Sequence, residues 1–382
     1  MKKKRRGLIV FIALAVLSVT AVVTGLSIIF GFSAANEKRD GTVGFEFVER
    51  LGAGINLGNA LEAFGDPLDG SYETSWGNAA LTEEVIQKVA DAGFSSVRLP
   101  ITWVLRTGVA PDYLISPTFL ARVKEVTDWI LAADMIAVIN MHHDDYYWFI
   151  PNPAHEEATA RQYKAMWTQI AVFFKDYGEN LVFEAFNEPR VVGSVGEWSG
   201  GSVFTRNVLN RLNRVFVDTV RASGGNNANR FLFLPDYGGA VDANAVKGLE
   251  VPTGDTRLIV AVHLYKPRDF ATDHNMSAAT FTEKDKKAVD KIFKLLKDTF
   301  ISKGIPVVID EFGAHAKNNE AERAAYAAYV TARAKAEKTA AFWWDNGVNT
   351  TAFTDDAYGI LDRATGEFKY PLIVKALTGK DL

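Results

Sequence analysis

Two glutamates in this 382-residue chain stand where a buried apolar run breaks off. Glu188 closes Leu181-Val-Phe-Glu-Ala-Phe-Asn-Glu-Pro189, and Glu311 closes Ile305-Pro-Val-Val-Ile-Asp-Glu-Phe-Gly313. A strand that delivers a carboxylate at its C-terminal tip is suited to acid/base work. Two such strands suit hydrolysis of a glycosidic bond, which needs a carboxyl group on either side of the scissile oxygen. Arg98 reads alone as a core-edge ion pair, but beside two buried carboxylates its charge would favour the ionised form of a nucleophilic glutamate. His142 and His143 are adjacent, so on a strand they point to opposite sides, and one of them is then structural. Tyr265 follows His263 by two residues and should share its side, either packed or bonded to a carboxylate or sugar hydroxyl.

These residues need a frame that gathers strand ends. Short apolar runs recur at Gly54–Asn59, Ser96–Ile101, Ile136–His142, Leu181–Asn187, Arg230–Pro235, Leu258–His263, Pro306–Glu311 and Ala340–Trp344. Amphipathic stretches separate them at 82–92, 117–133, 159–177, 205–223, 281–303 and 319–338. Between the fifth and sixth runs only a short helix near Asp242–Gly248 is conceivable. Eight buried runs alternating with helices argue a parallel sheet. Closed on itself, that sheet is a (β/α)8 TIM barrel, an α/β fold. An open doubly wound sheet is the alternative, but Gly52-Ala-Gly54 precedes the first run instead of following it as a phosphate turn would. The C-terminal ends of the runs carry Asn56 and Asn59, Arg98, His142-His143, Asn187-Glu188, Asp236-Tyr237, His263 with Tyr265, Glu311 and Trp343-Trp344. In such barrels that end forms the active site.

Composition narrows the chemistry. A net charge of −4 with mixed signs gives no basic face for nucleic acid. The chain has no cysteine, which removes disulfides, thiolate zinc sites and cysteine nucleophiles. A metal-dependent hydrolase would draw on His142, His143 and His263, but His155, His274 and His315 fall in loops and are expected to be solvated. No metal and no cofactor is therefore expected. Of eight tryptophans, Trp129 and Trp167 lie in amphipathic stretches and belong to the core. Trp76, Trp103, Trp148, Trp198, Trp343 and Trp344 lie at strand ends or in loops, where flat rings suit the apolar faces of pyranoses.

The N-terminus is a separate object. Met1-Lys-Lys-Lys-Arg-Arg6 precedes Gly7–Phe32, which carries no charge and is long enough to span a bilayer. Ser33-Ala-Ala35 offers a cleavage site, so the segment reads as an uncleaved anchor or a cleaved signal. Either way the rest is extracytoplasmic, secreted or tethered to the outer face of the membrane, and lipid contact is made only through residues 7–32 if the segment is uncleaved. The expected division is 1–35 signal or anchor, 36–44 polar linker and 45–382 catalytic barrel, as a monomer.

Seven motifs together resemble the family 5 glycoside hydrolases, the cellulase-type (β/α)8 enzymes. They are Gly54-Ile-Asn-Leu-Gly-Asn-Ala-Leu-Glu-Ala63, Val97-Arg-Leu-Pro-Ile-Thr-Trp103, Ile139-Asn-Met-His-His-Asp144, Phe186-Asn-Glu-Pro189, Val262-His-Leu-Tyr265, Ile309-Asp-Glu-Phe-Gly313 and Phe342-Trp-Trp-Asp-Asn-Gly347. The resemblance implies that Glu188 is the acid/base and Glu311 the nucleophile of a retaining endo-β-1,4-glucanase. It implies that Asn187 binds the 2-hydroxyl of the −1 sugar, that Arg98 and Tyr265 hold Glu311, and that His263 sits near Glu188. His142 would contact the −1 sugar and Trp344 would stack beneath it, with Asn59, Glu62 and His143 reaching further sugars. The substrate implied is a β-glucan such as cellulose, mixed-linkage glucan or xyloglucan, with mannan or xylan as alternatives. A non-catalytic, membrane-tethered glycan-binding protein is the reading of another class. For retaining chemistry Glu188 should keep its proton near neutrality, raised by burial and by nearby negative charge.

Overall fold

The computed structural model describes residues 39–65, 72–273, 278–349 and 356–382. Gly7–Phe32, read above as an anchor or signal, lies outside them, as does His274. No described helix is long and apolar enough to cross a membrane.

Eight parallel strands close into a barrel in sequence order. They are β1 (Ala53–Leu57), β2 (Ser96–Leu99), β3 (Ile136–Ile139), β4 (Leu181–Glu184), β5 (Leu232–Ala240), β6 (Leu258–Leu264), β7 (Val307–Phe312) and β8 (Ala340–Asp345). β8 returns to β1 through Gly54↔Phe342 and Asn56↔Trp344. The connecting helices start where polar side chains can accept orphan backbone N–H groups. Thr82 accepts from Val85, and Ser202 and Thr282 form capping boxes with Thr205 and Asp285. The short helix expected between the fifth and sixth runs is Ala243–Gly248, capped by Asp242.

Two apolar cores follow from the two faces of the ring. The larger packs strand residues against the outer helices. The smaller unites Val138, Val182, Phe233, Ile259, Val308 and Phe342 with Phe47, Val48 and Leu51, and so lies inside the barrel. These last three belong to helix α1 (Thr42–Leu51), whose Phe47 stacks on Phe231 at 3.7 Å and plugs the N-terminal end. The interior is full: a Cβ on Gly54 would lie 2.1 Å from the Phe342 ring.

The polar stretch expected to be a linker to residue 44 is in part folded. Lys38–Leu382 forms one compact unit, and the Arg39 guanidinium donates to the carbonyls of Val251 and Pro252. Helix α1 is needed to cover the interior apolar face, so the barrel begins before residue 45.

Candidate active site

Side chains alternate along a strand, so the positions two residues above the interior core also face inward. They form a polar layer. Asn56, Arg98, Asn140, Glu184 and Asp310 are all buried, and Arg98 is its centre. Its guanidinium grips Glu184 with two bonds, at 2.5 and 2.8 Å. It also donates to Glu311 at 2.5 Å, to Asn56 at 2.9 Å and to Asn187 at 2.8 Å. Arg98 therefore anchors both segments expected to carry the chemistry.

The two glutamates reach the site differently. Glu311 lies within β7, whereas β4 ends at Glu184 and Glu188 stands four residues beyond it. The intervening turn is fixed by Asn187 N–H donating to the Met141 carbonyl at 2.8 Å. The Tyr265 hydroxyl donates to Glu311 Oε2 at 2.9 Å. His263 Nδ1 lies 3.0 Å from Glu188 Oε1 and 3.4 Å from Glu311 Oε2. One carboxylate oxygen of Glu188 lies within 4.8 Å of one of Glu311.

Electrostatics correct one expectation. Burial pushes the Glu188 carboxyl up, but the bond and charge of His263, with Arg190 and His143, outweigh it and hold the group below its ordinary range. Burial alone would lower His263, yet the charge of Glu311 and the bond to and charge of Glu188 raise it to about 9. The proton expected on Glu188 thus rests on His263 in the unliganded site, across a 3.0 Å hydrogen bond.

The aromatic expectations divide. Trp344 is half-buried and lies parallel to the buried His142 ring, 5.9 Å between centroids. Gly58 makes room for it, since a Cβ there would lie 2.6 Å from the indole. His143 is half-buried beside Phe64, Trp76 and Tyr146. Trp198 is exposed. Trp103 and Trp343 are wholly buried instead of facing the rim, each donating its indole N–H to a backbone carbonyl. Glu62 is fully buried, and its carboxylate accepts the N–H groups of Asn59 and Ala60, so it orders the loop that carries Asn59. His315 is buried, not solvated, whereas His155 is exposed as expected.

Three residues of the site escaped the sequence reading. Glu184 and Asp310 lie two residues beyond inward-facing Val182 and Val308, a period-two signal that was available. Arg190, next to Pro189, donates to Asp145 at 2.5 Å and to Glu197 at 3.0 Å, and its guanidinium covers Trp198 at 4.3 Å. It comes within 3.7 Å of Glu188 Oε2.

This constellation can be compared with known proteins. The family model for cellulase (glycosyl hydrolase family 5) matches residues 61–350. The chain belongs to glycosyl hydrolase family 5. It is a glycoside hydrolase of the cellulase type. It is 40% identical over 332 residues to the cellulase/esterase CelE of Acetivibrio thermocellus, covering 87% of this chain and 40% of that protein's length. Among solved structures it is similar to a broad-specificity endoglucanase from Clostridium acetobutylicum (39% identity, TM-score 0.83, covering 87% of this chain and 98% of that one). It is also similar to the xyloglucan-specific endo-β-1,4-glucanase XEG5A from a metagenomic library, solved with cellotriose (36% identity, TM-score 0.85, covering 89% and 99%). The family 5 barrel found above thus extends over nearly all of both structures.

Proposed function

We propose that this family 5 enzyme is a retaining endo-β-1,4-glucanase that cleaves internal bonds of cellulose-type glucans, including mixed-linkage glucan and xyloglucan. The observation that carries the mechanism is the closeness of the Glu188 and Glu311 oxygens, within 4.8 Å. Retaining glycosidases hold their carboxyls about 5–5.5 Å apart, whereas inverting ones leave about 6.5–9.5 Å for a water molecule. Glu311, held by Arg98 and Tyr265, attacks the anomeric carbon. Glu188 gives a proton to the departing oxygen and then takes one from the water that releases the sugar. The names of the relatives, a broad-specificity endoglucanase and a xyloglucan-specific one, support the substrate class.

Azide distinguishes the two glutamates. Glu311→Ala should form no glycosyl-enzyme, and azide entering from the vacated side gives a glycosyl azide of inverted configuration. Glu188→Ala should still glycosylate Glu311 from a substrate with a good leaving group, and azide then gives a product of retained configuration. Opposite configurations would exchange the two roles. Inversion by the unmodified enzyme would end the retaining reading. A panel of β-glucans, xyloglucan, mannan and xylan fixes the substrate, and faster turnover of mannan or xylan would replace the glucanase assignment.

A further inference from the structure

Asp310 lies directly beneath the catalytic pair and has no place in the scheme above. It is fully buried, and among the described residues neither of its carboxyl oxygens has a hydrogen-bond partner. Its Oδ1 lies 3.7 Å from His263 Nε2, on the opposite edge of the ring from the nitrogen that meets Glu188. The imidazole is therefore a bridge between Glu188 above and Asp310 below. Charged or titratable groups approach Asp310 from several strands: Arg98 from β2, Glu184 from β4, Asp236 from β5, His263 from β6 and Glu311 from β7 itself. β1 adds Asn56, which donates to the Asp310 carbonyl, and just beyond β3 Asn140 lies against Glu184 and His142. Arg98, the nearest cation at 3.6 Å, is already committed to Glu184 and Glu311.

We propose that Asp310 is a positioning residue for proton transfer, a neutral carboxyl under His263 that lets the imidazole pass its Nδ1 proton up to Glu188. The proposal rests on the reading of Glu188 as the acid/base. The step balances. Nδ1 gives its proton to Glu188 Oε1, and the now neutral ring keeps Nε2–H, which faces the carbonyl oxygen of protonated Asp310. Glu188 delivers the proton to the leaving oxygen as the bond from Glu311 to the anomeric carbon forms and the glycosidic bond breaks. When water attacks, Glu188 takes one of its protons and can return it to Nδ1. An ionised Asp310 would instead hold an imidazolium between carboxylates, and the proton would stay on the ring. Burial and the charge of Glu184 push Asp310 up to about 8, against Arg98 and His263, which keeps it neutral at neutral pH.

The test is the pH dependence of kcat/KM for Asp310→Asn, which cannot ionise. On cellotetraose its alkaline limb should move up by about half to one pH unit, with the neutral-pH value within about tenfold of the unmodified enzyme. On a dinitrophenyl cellobioside, whose leaving group needs no proton, no such displacement should appear. A limb that stays in place or moves down, or an equal loss on both substrates, would overturn the proposal and leave Asp310 a structural residue. Asp310→Ser, smaller and also neutral, should repeat the upward movement. The unmodified enzyme offers a reading independent of any variant's folding: the nitrogen-15 shift of His263 Nε2 should record ionisation of a neighbour before the ring loses its own proton. A single-step titration of that nitrogen would also overturn it. Glu188→Gln in the same assays should lose only the cellotetraose activity. If both substrates suffer equally, the acid/base assignment itself has failed, whatever Asp310 does.

Discussion

A single hydroxyl illustrates how residue-level chemistry is arranged here. Tyr265 donates to Glu311 at 2.9 Å, while Arg98 takes the other oxygen of the same carboxylate. Tyr265→Phe keeps the ring and its packing but removes one bond to a charged group, worth about 1.5–3 kcal/mol. Turnover should then fall by about one to two decades, since each decade corresponds to about 1.4 kcal/mol. The check is kcat alongside circular dichroism, and a well-folded variant of unchanged kcat would make Tyr265 a packing residue. Much of this scale was legible in the sequence. Glu188, Glu311, Arg98, His263 and Tyr265 are polar residues interrupting apolar runs, and the fold brings them together. The protonation of Glu188 was not legible, because it depends on how closely the fold holds His263, from β6, and Arg190, turned back past Pro189, against its carboxylate. Glu62 is a related case: only the fold shows that backbone N–H groups, and not solvent, face its carboxylate.

At the scale of elements, apolar runs located the strands but overshot their ends. β3 stops at Ile139 and β4 at Glu184, although the runs continue to His142 and Asn187. The chain leaves the ladder to present functional groups, and no local composition change marks the departure. β5 behaves oppositely, extending to Ala240 through Gly238 and Gly239, both at positive φ. A Cβ on Gly239 would press the His263 ring and the Asn187 carbonyl, each within about 3.3 Å, so the irregular strand makes space for the site. Gly58 does the same for Trp344 after β1. Gly58→Ala would force the indole to move, and overpacking of this kind costs about 1–3 kcal/mol. If Trp344 is a sugar platform, KM for cello-oligosaccharides should rise by about tenfold while kcat on a small activated glycoside changes less. An unaltered KM would show that the indole either does not bear sugar or shifts freely.

At the scale of the whole molecule, the barrel buries ionisable groups above an apolar interior, and this arrangement sets how its stability responds to pH. The ring of eight strands was foreseeable from alternation alone, whereas the plug formed by α1 was not, because its short polar preface resembles a linker. Once the ring is closed, burial pushes Glu62 and Asp145 up to about 7 and Asp310 up to about 8, and His263 is raised to about 9 by the carboxylates around it. In an unfolded chain the acids would lose their protons near the ordinary carboxylate range and the imidazole near 6.5. From about pH 6.5 to about pH 9, therefore, the folded state binds more protons than the unfolded state, and stability falls as pH rises. His142 and His143, both lowered by burial and His143 to about 4, act in the opposite sense, but only below the ordinary imidazole range. Each pH unit over which one proton is held by the folded state alone removes about 1.4 kcal/mol. Thermal unfolding followed by calorimetry should show Tm declining steadily across that interval, by several degrees in all. A Tm that is flat or rising from neutrality to about pH 9 would mean that these groups have already lost their protons in the folded barrel and that the polar layer is more hydrated than its burial implies.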